Sequence, residues 1–370
     1  MSEYQYYESQ TIDRPLSPIE KDAVSGLSSH METVTSTQAI VTYSWGDFKH
    51  NPRQVLLEYF DAHLYMANWG TRRLLFRFPK SVLDPQAIQP YCREGILTLE
   101  LEGNYYILEF SLNDEEPDYE WLEGEGMLGK LTPIREQIMQ GDYRALYLSW
   151  LKAVSIEDRE EDNTEIEPPV PAGLAKLNSS HQAFIELFEL DPHLVKAAAK
   201  ASPPLQPKSN APLVQALTQL SREECENFLR QVLNNEPQVR MALQKRLEQL
   251  AGTEPVSAGK SQRRAGNLFK EAERLEREAL QQQEAEAEQR RIQELLDLAG
   301  REEATWRWIE SLIGQKQAGP YDKATKLLVD LRDLAIYQNQ LPKFQKSLLV
   351  IREKYSNRPT LMERFSRAGL

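Results

Sequence analysis

The segment from Gly124 to Leu131 has the residue types that come closest to phosphate chemistry. Its glycines fit G-x-G-x-x-G, and Lys130 follows the last glycine as in the phosphate-binding loop G-x-x-x-x-G-K-[ST]. That loop needs a hydroxyl directly after the lysine to hold magnesium, but Leu131 stands there and Thr132 comes one place late. The acidic residues within 118–123 would repel a phosphate. The sequence therefore predicts a glycine-rich loop and no nucleotide site.

Other side chains that could do chemistry show no spacing typical of a known site. The five histidines match no metal-ligand motif, and the two cysteines, Cys92 and Cys225, are far apart. No G-x-S-x-G elbow is present. His63 follows Asp61 closely, but we expect it at the surface or the edge of the core. The sequence predicts no catalytic residue, no metal and no cofactor, and leaves open a site assembled from distant residues.

A basic tract from residue 68 to residue 80 is the strongest candidate for a binding surface. Its candidate binding residues are Trp69, Arg72, Arg73, Arg77 and Lys80. In a strand, Arg73 and Arg77 point the same way, so the tract could bind phosphate or an acidic peptide. The alternative is an ordinary solvated strand face whose arginines pair with a nearby acidic run.

The net negative charge of the chain is concentrated in two segments. Two acidic runs, residues 114–125 and 157–167, account for the whole net charge of −12. Residues 341–370 carry seven basic and two acidic side chains, which suits either a nucleic-acid contact or the solvated side of a helical repeat. The polar start of the chain and the lack of a long apolar run predict a cytoplasmic protein without a membrane span.

The N-terminal region mixes strand and helix periodicities, which predicts an α+β domain. A hairpin is the clearest element, because Leu97, Leu99 and Leu101 alternate before the turn at Gly103 and another alternating run follows it. The other predicted elements are strands over 4–12, 34–45 and 72–78, and helices over 19–27, 54–67 and 134–154.

The C-terminal half is predicted to be all helical, including a long charged helix and a C-terminal helical hairpin of the tetratricopeptide kind. The long helix has no large apolar residue from 281 to 291, so both a solvated helix and a weak coiled coil are open. The predicted division is an α+β domain over 1–156, an acidic and proline-rich linker over 157–172, a helical bundle over 173–252, a linker over 253–263, the long helix over 264–318 and the hairpin over 319–370.

Parts of the chain resemble known families. The stretches that resemble a family of large, uncharacterised bacterial proteins are Tyr4–Glu8, Ile12–Leu16, Tyr43–Lys49 and Tyr59–Thr71. The stretches that resemble the C-terminal helices attached to some bacterial zinc-finger proteins of the SWIM type are Tyr321–Ala324, Leu331–Leu334 and Arg367–Leu370. The resemblance implies no reaction. The SWIM motif needs three cysteines and a histidine, and this chain has only two cysteines.

These observations favour a non-enzymatic interaction or adaptor protein, because helical modules joined by charged or proline-rich linkers offer extended surfaces to a protein partner. The alternative is a nucleic-acid-associated factor that uses the basic strand face and the basic tail. An enzyme with a dispersed site is the third hypothesis.

Overall fold

The N-terminal region is built on one antiparallel sheet. The computed structural model describes residues 3–113, 124–157, 163–205, 211–234, 236, 239–252 and 263–370. Seven strands within these ranges pair in the order β2-β3-β1-β4-β5-β7-β6, and every pairing is antiparallel. The strands are β1 Gln5–Gln10, β2 Met31–Val34, β3 Gln38–Tyr43, β4 Ala62–Ala67, β5 Thr71–Pro79, β6 Leu97–Glu102 and β7 Tyr105–Asn113.

Helices cover both faces of this sheet. The elements that follow or interrupt the strands are α1 Pro18–Ser25, α2 Pro52–Tyr59, α3 Pro85–Ile88, α4 Met127–Leu131, α5 Pro133–Met139, α6 Arg144–Glu157, α7 Ser179–Phe188 and α8 Pro192–Ala199. Leu74 and Phe76 point into the larger core, which α4 to α8 complete, whereas Leu75 faces α1 and α2. The predicted α+β N-terminal domain is confirmed, and so is the predicted alternation along β5.

The prediction of a helix over 54–67 is wrong for the second half of this segment. The structure ends α2 at Tyr59 and places Ala62–Ala67 in β4, between β1 and β5. Val55 and Met66 fit a helical spacing, but Ala62, Leu64 and Met66 also alternate with His63 and Tyr65. Six residues paired on two sides gain more from the sheet than a further helical turn would provide, so tertiary pairing overrides local periodicity.

Two other predicted elements are divided in the structure. The strand predicted over 34–45 contains the whole of β3 and only the last residue of β2, and the turn at 35–37 separates the two strands of this hairpin. The helix predicted over 134–154 is α5 and α6, interrupted at Gly141, whose φ of +78° is a conformation that glycine adopts readily.

Residues 163–171 pack into the larger core, whereas their composition predicts a spacer. Glu167 is buried, accepts the hydroxyl hydrogen of Tyr147, and pairs with the Arg263 guanidinium at 2.6 Å. Val170 is buried in the same core, and Pro169 accepts a hydrogen bond of 2.7 Å from the Tyr91 hydroxyl. Prolines need no backbone donor partner, so this stretch crosses an apolar surface without losing hydrogen bonds.

The contacts divide the chain into two compact units, Met1–Glu276 and Arg277–Leu370. The first unit thus extends well beyond the predicted boundary at 156, because α7, α8 and residues 265–272 complete its larger core. Its later helices are α9 Ala211–Ala216, α10 Arg222–Leu233, α11 Val239–Ala251 and the start of α12 Ala265–Ala299. The predicted all-helical C-terminal half is confirmed.

The second unit is a helical stack. Its helices after the end of α12 are α13 Glu302–Gly314, α14 Ala318–Tyr337, α15 Leu341–Lys354 and α16 Pro359–Arg367. Glu302 pairs with Lys343 at 3.6 Å and Glu310 with Lys354 at 3.1 Å, so α13 and α15 run in the same direction. The long helix predicted over 264–318 is divided in the structure, because α12 ends at Ala299 and α13 begins at Glu302. No helix of the described ranges is long and apolar enough to cross a membrane.

Candidate interaction surfaces

Arg72, the first arginine of the predicted basic tract, is a buried structural residue. It shares the core-facing side of β5 with Leu74, and its side chain is about 5% exposed. Its guanidinium donates to the backbone oxygen of Leu187 and pairs with Glu189, both beyond the predicted domain boundary. A buried arginine with these partners fixes α7 onto the sheet and presents no charge to a ligand.

Arg73 and Arg77 lie on the opposite face of β5, as the alternation predicts, and both have carboxylate partners. Arg73 Nε donates to Glu109 at 2.6 Å, and an Arg77 Nη atom donates to Asp61 at 2.7 Å. Arg77 also donates to the backbone oxygen of Leu57 at 2.6 Å. The arginines thus pair within the unit. The carboxylates that pair with these arginines lie on β7 and in the loop before β4, and neither belongs to the acidic runs 114–125 and 157–167.

Trp69 and Lys80 are exposed but lie at opposite ends of β5. Trp69 occupies the turn before the strand, and Lys80 follows its last residue. A nine-residue strand is about 30 Å long. The structure therefore does not gather the five predicted binding residues into one cluster.

A buried ionic network lies beneath the sheet where α5 begins. The Arg135 side chain is 1% exposed, and its two Nη atoms donate to the Asp13 carboxylate at 2.9 and 2.8 Å. Asp61 lies 3.8 Å from Arg135 and accepts the backbone N–H groups of Ile12 and Asp13. Burial alone would raise the pKa of Asp61, but Arg135 and these donors outweigh it and lower the pKa. Every partner is internal, so the network holds the fold together.

His63 forms a buried pair with Ser9. It lies on β4 and not on the predicted helix, and its Nδ1 atom is 2.8 Å from the Ser9 Oγ atom. Burial, with a smaller effect of the Arg73 charge, lowers the pKa of His63 to about 3. A cavity of about 20 Å³ adjoins the ring and is otherwise lined mainly by apolar side chains such as Val55 and Phe60. A histidine that stays neutral down to about pH 3 is a poor general base at neutral pH.

We expect the stability of the protein to fall on mild acidification because of this histidine. The His63 imidazole binds a proton near pH 6.5 in the unfolded chain but only near pH 3 in the folded protein. The free energy of unfolding therefore falls as the pH drops from 6.5 towards 3. Between pH 7 and pH 5 this corresponds to about 2 kcal/mol for one buried histidine. Urea unfolding of wild type and His63→Asn at pH 7 and at pH 5 measures this loss of stability. An equal loss in both proteins would contradict the assignment.

The glycine-rich segment folds as a packed helix start. Met127, Leu128 and Leu131 are buried in α4, and a Cβ atom on Gly124 would overlap the ring of Tyr6. Lys130 is exposed on a helix of only five residues. Within the described ranges, no group of three or more His, Cys, Asp or Glu side chains could hold a metal ion.

The exposed face of α10 is the most pronounced apolar surface of the first unit's C-terminal helices. Leu229, Val232 and Leu233 are 63%, 57% and 82% exposed, and their spacing of three and four residues places them on one side of the helix. Ser221 and Glu224 form a capping box at the start of α10, with bonds of 2.9 and 3.1 Å. We call Leu229, Val232 and Leu233 the α10 stripe.

Most side chains of the basic tail make contacts within the second unit. Arg352 donates to the backbone oxygen of Leu370, Arg358 to that of Ile313, and Arg364 pairs with Asp322 at 2.6 Å. Lys343, Lys354 and Arg367 pair with glutamates. These contacts favour the interpretation of the tail as one side of a helical stack.

Comparison with models of known protein families, with curated proteins and with solved structures finds no match to this chain. The resemblance to the uncharacterised bacterial family and to SWIM-associated helices therefore stays a prediction.

Proposed function

We propose that this chain is a non-enzymatic interaction or adaptor protein that binds an apolar groove of a protein partner through the α10 stripe. The observation that carries the proposal is the exposure of Leu229, Val232 and Leu233 on one side of a capped amphipathic helix. Apolar anchors at such spacing are what a helix inserts into the groove of a partner.

The size of the stripe suits a reversible complex. Full burial of each large aliphatic side chain contributes about 1.5–3 kcal/mol, so three of them supply roughly 5–9 kcal/mol before the costs of association. Arg222 and Glu226 pair with each other beside the stripe at 2.8 Å and form a polar rim.

The two alternatives have less support. The nucleic-acid hypothesis needs arginines that can reach phosphates, but Arg72, Arg73 and Arg77 are bound to carboxylates or backbone oxygens. An enzyme with a dispersed site needs a group poised to react, and the buried His63 has a pKa far below neutrality.

We expect Leu229→Lys/Leu233→Lys to abolish capture of the partner from lysate of the source cells, because two charges cannot enter an apolar groove without losing hydration. Tagged wild type and variant would be compared by mass spectrometry after nuclease treatment. Ile19→Lys on α1 is the matched control, since Ile19 is 82% exposed, as Leu233 is.

The proposal requires one protein or a small set of proteins that the control retains and the double variant loses. Recovery of the same proteins by the double variant would refute a role for the stripe. Species that disappear on nuclease treatment of the wild type would favour the nucleic-acid hypothesis.

A further inference from the structure

Strand β6 forms one edge of the sheet, next to β7. The backbone groups of its even-numbered residues point to β7, since the Ser111 N–H donates to the oxygen of Ile96 and the pairing continues without a shift to Glu102. The groups of the odd-numbered residues therefore point away from the sheet. At the start of this outer side, the N–H and C=O groups of Leu97 bond to the backbone of Arg93 at 2.8 and 2.9 Å.

The outer side of β6 is free at Leu99 and Leu101. Within the described ranges, no hydrogen bond joins the N–H or C=O group of either residue to another element on this side. The strand contains no proline, and its register with β7 has no bulge. The opposite edge, β2, has four residues and an irregular register between Met31 and Thr33, which hinders the pairing of a further strand. Of the two edges, β6 is therefore the one that suits another strand.

One face of the β6 edge is apolar. Leu97, Leu99 and Leu101 alternate on the side of the larger core, where Leu97 is buried and Leu99 is partly buried. Leu101 is 48% exposed at the end of this row. A neighbouring strand would cover Leu99 and Leu101 with its own apolar side chains and would extend the core by one strand.

The other face of the β6 edge is acidic. Arg53 from α2 donates to Glu100 at 2.6 Å and to Glu109 at 3.0 Å, and it lies 3.5 Å from Glu102. Arg73 also pairs with Glu109. Three carboxylates thus share two arginines, and 52% of the Glu100 side chain stays exposed. This face therefore favours a cation on the strand that pairs with β6.

A second copy of this chain is a poor occupant of the β6 edge. Antiparallel self-pairing uses both free residues only if Leu99 pairs with Leu101 of the second copy, which puts Glu100 opposite the same residue of the copy. Side chains are closest in such non-hydrogen-bonded pairs, and like charges there are destabilising. Any other register would pair a free residue with Leu97, whose groups are already bonded, or with the turn that follows the strand.

We propose that β6 binds an extended segment of another protein in which apolar and basic residues alternate, and that this segment becomes a further strand of the sheet. Main-chain bonds to Leu99 and Leu101 supply the affinity. Apolar side chains beside Leu101 and a basic side chain beside Glu100 supply the selectivity. This surface is separate from the α10 stripe, so an adaptor would bind one partner by a helix and another by a strand.

Fluorescence anisotropy of a short labelled peptide, in which lysine and valine alternate, tests the proposal on the full chain at about 150 mM salt. The peptide should bind wild type. Leu101→Pro should weaken binding by about tenfold or more, because it removes an outward N–H group and its ring hinders pairing. Proline is tolerated on an edge strand where the nitrogen faces solvent. Leu101→Val is the matched control, since it keeps the N–H group and should bind as wild type does.

Two further peptides separate strand addition from simple attraction to the acidic runs 114–125 and 157–167. A peptide of the same composition with its lysines in one block should bind about tenfold more weakly, because it cannot place apolar residues on one face and cations on the other. A peptide with glutamate in place of lysine should not bind. Leu229→Lys/Leu233→Lys should leave binding unchanged, so failure of this proposal is distinct from failure of the α10 stripe.

Hydrogen exchange resolved to single residues tests the geometry without a variant. The amides of Leu99 and Leu101 should exchange rapidly in the free protein and slowly with the alternating peptide bound, whereas the Glu100 amide should be slow in both. No binding to wild type, equal binding by Leu101→Pro or of the block peptide, or unchanged exchange at Leu99 and Leu101 would each overturn the proposal. A wild-type dimer that Leu101→Pro abolishes would also overturn it, by showing a second copy at the edge.

Discussion

A fragment that ends at residue 156 is expected not to fold, whereas a fragment that ends at residue 276 should fold. The sheet face of β7 is covered by later residues: the rings of Phe184 and Phe188 lie 5.1 and 6.2 Å from that of Phe110. Leu268 and Phe269 are buried in the same core. Without these residues the sheet would expose much of its larger core to water, at about 25 cal/mol for each Å².

Near-ultraviolet circular dichroism, dye binding and amide dispersion of the two purified fragments would measure the difference. The shorter fragment should aggregate or bind a hydrophobic dye, without a cooperative unfolding transition. A cooperatively unfolding fragment of 156 residues would restore the predicted domain boundary and contradict the core described above.

Arg135→Met is expected to destabilise the protein by about 3–5 kcal/mol, because it leaves Asp13 without its guanidinium partner and removes one of the two arginines beside the buried Asp61. Asp61 is 2% exposed and Asp13 loses both of its bonds to the guanidinium. Urea unfolding measures the change in the free energy of unfolding. Arg14→Met is the matched control, since the Arg14–Glu20 pair is largely exposed and such pairs contribute about 0–1 kcal/mol.

The same network gives this variant a distinct pH dependence. The pKa of Asp61 is lowered in the folded protein, so its contribution to stability is present above the unfolded value near 3.9 and is lost as the pH falls towards the folded pKa. The gap in stability between wild type and Arg135→Met should therefore narrow on acidification. Equal destabilisation by Arg135→Met and Arg14→Met would show that the network contributes little.

Elements with one dominant local signal are predictable from the sequence. The β6–β7 hairpin follows from two alternating runs around Gly103, which has a φ of +60° in the structure. The start of α10 follows from its capping box. The segment 54–67 carried two periodicities at once, so its local pattern could not decide between helix and strand; the pairing of β4 with β1 and β5 decided it.

The polar interior could not be predicted, because its partners are distant in the chain. Asp13 and Arg135 are 122 residues apart, and neither has a neighbour that marks it as buried. The arginines of β5 were identified as a candidate surface because their positions were predictable, whereas their carboxylate partners were not. The proline-rich stretch near residue 170 shows the same limitation: its composition is typical of a spacer, but its place in the fold depends on a core assembled from both sides of it.

The late completion of the larger core has a consequence for synthesis on the ribosome. At roughly 5–20 residues per second, the residues between 156 and 272 take about 6–23 s to be made. During that interval the nascent sheet presents an apolar face around Phe76 and Phe110 that its own chain cannot yet cover. A nascent chain in this state is a natural client for a ribosome-associated chaperone, and slow codons placed after residue 156 would lengthen its exposure and lower the yield of folded protein.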